Sequence, residues 1–146
     1  MVFKSEKGLS DAELRAALEE YVDERMTQLA EQRRESGRDA GGRVRVLMLP
    51  PDFTRMYSGA GHITAMLTEI FTARAEEIEW DVMPALGTHV PMSREECETF
   101  FEGRVDYEKL LVHNWRDDVV KIGEVPGEFV SEEKLTAGEY ALLQSG

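Results

Sequence analysis

An aspartate, a threonine and an arginine stand close together at Asp52, Thr54 and Arg55, directly after an uncharged apolar run from Val46 to Pro51. A carboxylate and a hydroxyl orient polar ligands, and a guanidinium grips a carboxylate or phosphate in a two-pronged bond. Ser58, Gly59 and Gly61 follow in a loop of small residues that opens a helical pattern, Ile63, Met66, Leu67, Ile70 and Phe71. The first turn of such a helix offers free backbone N–H groups to an anion. A second polar cluster, Thr88 and His89, follows another apolar segment, and His113 follows a third. His89 is the leading catalytic candidate, because imidazole exchanges protons near neutral pH. The competing reading makes His89 a loop histidine bonded to backbone, and Asp52 with Arg55 a structural pair in which Asp52 caps the turn. His62 lies in the first turn of a helix, where the helix dipole disfavours its protonated form.

The elements that must position these groups follow from periodicity. Residues 10 to 35 form one amphipathic helix, with Ser10 and Glu13 as a capping box and Leu14, Leu18, Tyr21, Val22, Met26 and Leu29 as its apolar stripe. Arg33 and Arg34 suit its last turn, Ser36-Gly37 ends it, and residues 38 to 42 connect to the rest. The run from Val46 to Pro51 reads as a short strand buried on both faces. A helix from Gly61 to Ala75 follows, then a strand over 77 to 86 in which Ile78, Trp80 and Val82 alternate with acids. Ser93 and Glu96 make another capping box, with Cys97, Phe100 and Phe101 on one face of a short helix. Leu110 to Val112 gives a third strand. Residues 119 to 130 suit one or two short strands, and 131 to 146 a final helix with Leu135, Tyr140 and Leu143 inward. This alternation implies an α/β fold, a Rossmann-like parallel sheet flanked by helices and preceded by a long N-terminal helix. Residues 1–42 are the helix and connector, and 43–146 the α/β domain, packed together as one compact unit. In such sheets ligands sit beyond the carboxyl ends of the strands, so the three polar clusters share one edge.

Composition excludes several functions. At 146 residues with a net charge of −12, the chain lacks the basic surface that nucleic acids or anionic membranes demand. No run approaches a membrane span, the N-terminus carries no signal-peptide core, and a single cysteine forms no internal disulfide, so the reading is cytoplasmic. The Gly59-Ala60-Gly61 run lacks the Lys-Ser/Thr of a P-loop and the spacing of a dinucleotide fingerprint. Three scattered histidines and Cys97 give no zinc spacing, Ser58 lacks the glycines of a nucleophile elbow, and Asp117-Asp118 reads as a solvated pair.

Two motifs carry a resemblance. Asp52-Phe53-Thr54-Arg55 resembles the D-x-T-R motif after the first strand of the nickel-dependent lactate racemase family, and Ala85-Leu86-Gly87-Thr88-His89-Val90-Pro91 is similar to that family's A-L-G-T-H-x-P motif. Val112-His113-Asn114 resembles a later family segment, and the likeness spans about residues 43 to 130. It implies the N-terminal, cofactor- and substrate-binding part of a racemase or epimerase. The substrate would be a small 2-hydroxy acid, and the hydride acceptor a nickel–pincer nucleotide. By resemblance, His89 would be one of two general bases, Arg55 would hold a carboxylate or phosphate, and Asp52 and Thr54 would contact cofactor or substrate. Ser58, Gly59 and Gly61 would cradle the cofactor phosphate, with no metal ligand in this segment. Met56 stands where the family carries proline. The family's tethering lysine, nickel-binding histidine and second catalytic histidine have no counterpart in these residues, which implies a C-terminal domain or separate subunit as partner. The alternative function is a non-catalytic module that binds a nucleotide or other anion through residues 52–61.

Overall fold

The computed structural model describes residues 8–37 and 42–125, in two compact units, Met1–His113 and Asn114–Gly146. The first unit is mixed α/β. Its first element, α1, runs Asp11–Glu35 and starts where the sequence says it must: the Ser10 hydroxyl accepts from the Glu13 N–H, and the Glu13 carboxylate accepts from the Ser10 N–H. Two orphan N–H groups are thereby satisfied at once. The apolar stripe of α1 is shallower than its spacing implies. Ala17 and Val22 are buried, whereas Tyr21 and Leu29 are exposed. One stretch of the helix does the packing: Val22 lies against Ile70, Phe71 and Ile78, with Leu18 and Met26 beside it. The Arg74 guanidinium donates to Asp23 at 2.5 Å and fastens α1 to the residue that ends the next helix.

Two strands, β1 (Val44–Met48) and β2 (Ile78–Val82), pair in parallel with Val44 opposite Ile78 and Met48 opposite Val82. Between them come a 3-10 helix, Phe53–Ser58, and α2, Ala60–Ala73; after β2 comes α3, Arg94–Phe100, and a 3-10 turn, Tyr107–Lys109. Register places Val44, Val46 and Met48 on one face with Ile78, Trp80 and Val82. All three helices pack on this face: α1 and α2 against Val46 and Ile78, α3 through Cys97, Phe100 and Phe101 against Val82. Phe101 and Val82 are fully buried, and Phe100 meets Phe101 edge to face with centroids 5.0 Å apart.

The expected strand buried on both faces is corrected here. β1 is covered on one face, and Leu47 and Leu49, on the other, are 51% and 57% exposed. The apolar run reflects a core-facing set of alternate residues with leucines between them, because among the described residues no helix covers the far side of the sheet. Both strands are also shorter than expected. Beyond Met48 and Val82 the chains stay in parallel register, with Met83 N–H donating to Met48 O and Ala85 N–H to Pro50 O, but the prolines break the ladder. The third strand reduces to a single parallel bridge, Val82 to Leu110, with Leu111 N–H donating to Val82 O. No strand forms over described residues 119–125; residues 126–146, including the expected final helix, lie outside the described set.

In the second unit, the Asp117 and Asp118 N–H groups both donate to the Asn114 carbonyl, and the Arg116 guanidinium lies 3.9 Å from the centre of the Trp115 ring. Among the described residues no helix is long and apolar enough to cross a membrane.

Candidate functional site

The site grows from the ends of β1 and β2. Past β1, Pro51 bridges in parallel to Ala85, and Asp52 begins the 3-10 helix as its N-cap. Its Oδ1 accepts from the Thr54 N–H at 3.1 Å and from the Thr54 hydroxyl at 2.5 Å. Past β2, the chain turns at Leu86, whose carbonyl accepts from the His89 N–H at 2.9 Å. Gly87 enters this turn at φ 58°, a left-handed conformation that glycine adopts without strain. The turn aims the His89 ring back at β1, where Nδ1 lies 2.5 Å from Oδ2 of Asp52.

Asp52 is 5% exposed, and its hydrogen-bond partners favour the ionised form. Burial pushes its carboxyl up, but the Thr54 hydroxyl, His89 and the Thr54 N–H together outweigh burial and hold it below the usual carboxylate range. An ionised carboxylate only accepts, so Nδ1 of His89 is the donor. In the neutral ring the lone pair then sits on Nε2, and the His89 side chain is 55% exposed. A buried carboxylate behind an exposed imidazole is the arrangement that fixes a tautomer and steadies the imidazolium once a proton is taken.

Arg55 lies at a kink of the 3-10 helix, with φ −107° and ψ 28°. Its N–H donates to the Asp52 carbonyl at 3.0 Å. Its side chain is exposed and pairs with no carboxylate among the described residues. The expected Asp52–Arg55 pair is thus replaced by Asp52–His89, while the capping reading of Asp52 holds. Tyr57, two residues on, is fully exposed.

The small-residue loop divides into separate jobs. The Ser58 hydroxyl accepts from the Ala60 N–H at 3.2 Å, and Gly59 caps α2 at φ 75° without a side-chain bond. Gly61 is buried, and a Cβ there would lie 1.9 Å from the Phe100 carbonyl oxygen. Gly61, an expected cradle residue, also serves packing, since its bare backbone lets the start of α2 approach the end of α3.

The other two histidines have structural partners. His113 Nδ1 accepts from the Leu86 N–H at 3.3 Å, which supports the turn that carries His89. His62 contradicts the expectation of a disfavoured charge. Its Nδ1 lies 2.8 Å from Glu102 and its Nε2 3.2 Å from Asp11. The Glu102 hydrogen bond, against some burial, and the nearby Asp11 raise its pKa, so two carboxylates override the helix dipole. Sequence carried no signal for this clamp, since Asp11, His62 and Glu102 come from α1, α2 and the chain after α3. Among the described residues no group of three or more His, Cys, Asp or Glu is placed to hold a metal ion. Cys97 is buried, and burial, with the Glu96 charge, pushes its thiol up.

These features define a mixed α/β unit with a histidine–aspartate pair at the carboxyl edge of its parallel strands. Compared with protein families, with curated proteins and with solved structures, the chain gives no match.

Proposed function

We propose that the Met1–His113 unit is the N-terminal, ligand-binding part of a racemase or epimerase of 2-hydroxy acids, built on a Rossmann-like plan, with His89 as one of its general bases. The observation that carries this reading is the contact of His89 Nδ1 with the buried Asp52 carboxylate. It leaves Nε2 outward, with a lone pair to take the proton of a substrate hydroxyl as the α-carbon loses a hydride. Asp52 then balances the imidazolium, as a buried partner carboxylate does for other catalytic histidines. Arg55, exposed and without an acidic partner among the described residues, supplies the charge for a carboxylate or a phosphate. Both resembling motifs, Asp52–Arg55 and Ala85–Pro91, lie on the two loops that meet in this contact.

A nickel–pincer nucleotide fits these residues in part. Its phosphate suits Arg55 and the loop of Ser58 and Gly59, whereas no cluster of the described residues suits the nickel. When bound, such a group supplies the hydride acceptor. Completing the site would fall to a C-terminal domain or separate subunit.

The test is racemisation of a panel of chiral 2-hydroxy acids by the full-length protein with nickel–pincer nucleotide, followed by optical rotation. His89→Ala should lower the rate roughly 10²–10⁴-fold, the usual contribution of a general base. Racemisation untouched by His89→Ala would remove His89 from the mechanism. Exposed Arg55 also supports a second reading, a non-catalytic anion-binding module. Nicotinamide mononucleotide binding that Arg55→Ala weakens about tenfold or more, with no racemisation under any condition, would favour that module.

A further inference from the structure

A cleft of about 160 Å³ lies between the chain from Pro84 to Met92 and the chain from Tyr107 to His113. Neither Asp52 nor His89 lines it, so it is distinct from the site above. Its walls are mostly apolar: Leu86, Met92, Cys97 and Leu110 contribute, with His113 and Glu108 as its ionisable side chains besides the thiol and the Tyr107 phenol. Leu86, Met92 and Cys97 are buried and belong to the core, so this wall is held by packing and not by mobile surface groups.

The His113 ring is oriented by the backbone. Its Nδ1 accepts from the Leu86 N–H at 3.3 Å, which requires a lone pair there and puts the ring proton on Nε2. Nε2 has no partner among the described residues, and the ring lines the cleft. We infer that this cleft binds a small uncharged molecule the size of one ring, bearing a hydrogen-bond acceptor that takes the His113 Nε2–H. Three observations set the class. Apolar cavities of about 150 Å³ take up benzene-sized molecules, so the volume suits a single ring or a short branched chain. Apolar walls with one or two placed polar groups are the usual make-up of small-molecule sites. The one lining carboxylate, Glu108, is neutralised by its ion pair with Arg94, so the cleft offers an anion no free cation, and the net charge of −12 disfavours anions further.

The experiment uses the full-length chain with 13C-labelled methionine methyls, the signal of Met92 being assigned through Met92→Leu. Acetophenone, ethylbenzene and benzoate are titrated in turn. Acetophenone should shift the Met92 methyl saturably and bind roughly two- to tenfold more tightly than ethylbenzene, since its carbonyl accepts a neutral hydrogen bond. Benzoate should bind more weakly than either. In His113→Phe the preference for acetophenone should vanish while ring binding persists; if that variant does not fold, the wild-type comparison decides alone. No saturable shift of Met92, equal affinity for acetophenone and ethylbenzene in the wild type, or tightest binding by benzoate would each overturn the proposal.

Discussion

Gly61 and Phe100 approach so closely that no side chain fits between them: a Cβ on Gly61 would lie 1.9 Å from the Phe100 carbonyl oxygen. That oxygen is backbone in the last turn of α3, and it cannot swing aside as a side-chain end would. Gly61→Ala must therefore separate α2 from α3 or bend one of them. Overpacking of this kind costs about 1–3 kcal/mol. The urea midpoint of Gly61→Ala should fall accordingly, while Gly42→Ala, which meets nothing within 4 Å, should leave it nearly unchanged. Equal midpoints for the two variants would contradict the close approach.

Asp52 serves both the 3-10 helix and His89, and the two roles separate by substitution. Asp52→Ala loses the cap and should destabilise by about 1 kcal/mol. Asp52→Asn keeps an acceptor for Thr54 but removes the charge facing His89. The Asp52 carboxyl is held below its usual value of 3.8, so its stabilisation is present above that pH and is lost as pH falls through the folded value. The stability gap between wild type and Asp52→Asn, measured by thermal melts, should accordingly be wider at pH 6 than below pH 3.

The His62 clamp gives stability a pH window. His62 is raised above 6.5, so its contribution is fully present below about that pH and is lost as pH rises through the folded value. Glu102 is lowered from 4.5, first by its hydrogen bond to His62, so its contribution is lost as pH falls below about that value. The stabilisation by this pair should be greatest between the two and modest in size, about 1 kcal/mol or less, because both partners are partly solvated. A double-mutant cycle of His62→Ala and Glu102→Ala at pH 5.5 and pH 8.5 should show coupling at the first and little at the second.

Glu69 receives Arg104 Nε at 2.7 Å and also Arg15, joining α2 to α1 and to the chain after α3. The Arg104 bond, against some burial, and then Arg15 lower its carboxyl from 4.5 to about 2. Stability should thus decline as pH falls between those two values in the wild type, and the decline should be shallower in Glu69→Gln. Since the Glu69 side chain is 39% exposed, screening keeps the difference to about 1 kcal/mol or less.

Cys97 is buried, and its thiol is pushed up by burial and by Glu96. Because the thiolate is the reactive form, an aromatic disulfide reagent at neutral pH should react slowly with the native chain and rapidly in urea. A native rate equal to the unfolded one would contradict this burial.

What the chain determined by itself is what depends on neighbours in sequence. Both capping boxes, Ser10 with Glu13 and Ser93 with Glu96, form as the spacing requires, because their partners sit three residues apart. The alternation of Ile78, Trp80 and Val82 with acids placed the inner face of β2 correctly, since side chains of a strand point to opposite faces in turn. Parallel pairing, and Asp52 and His89 on loops at one edge, were legible too. Tertiary structure decided the rest. Leu47 and Leu49 look like core residues until the helices among the described residues are seen to cover one face alone. One reading of the sequence paired Arg55 with Asp52, yet the turn at Leu86 delivers His89 to that carboxylate instead. The packing role of Gly61 was hidden because nothing local announces the Phe100 carbonyl, and His62 read as neutral because Asp11 and Glu102 come from far along the chain. A helix dipole or a glycine-rich loop is visible in sequence as a local tendency. The long-range contact that overrides it exists only once distant segments have packed together.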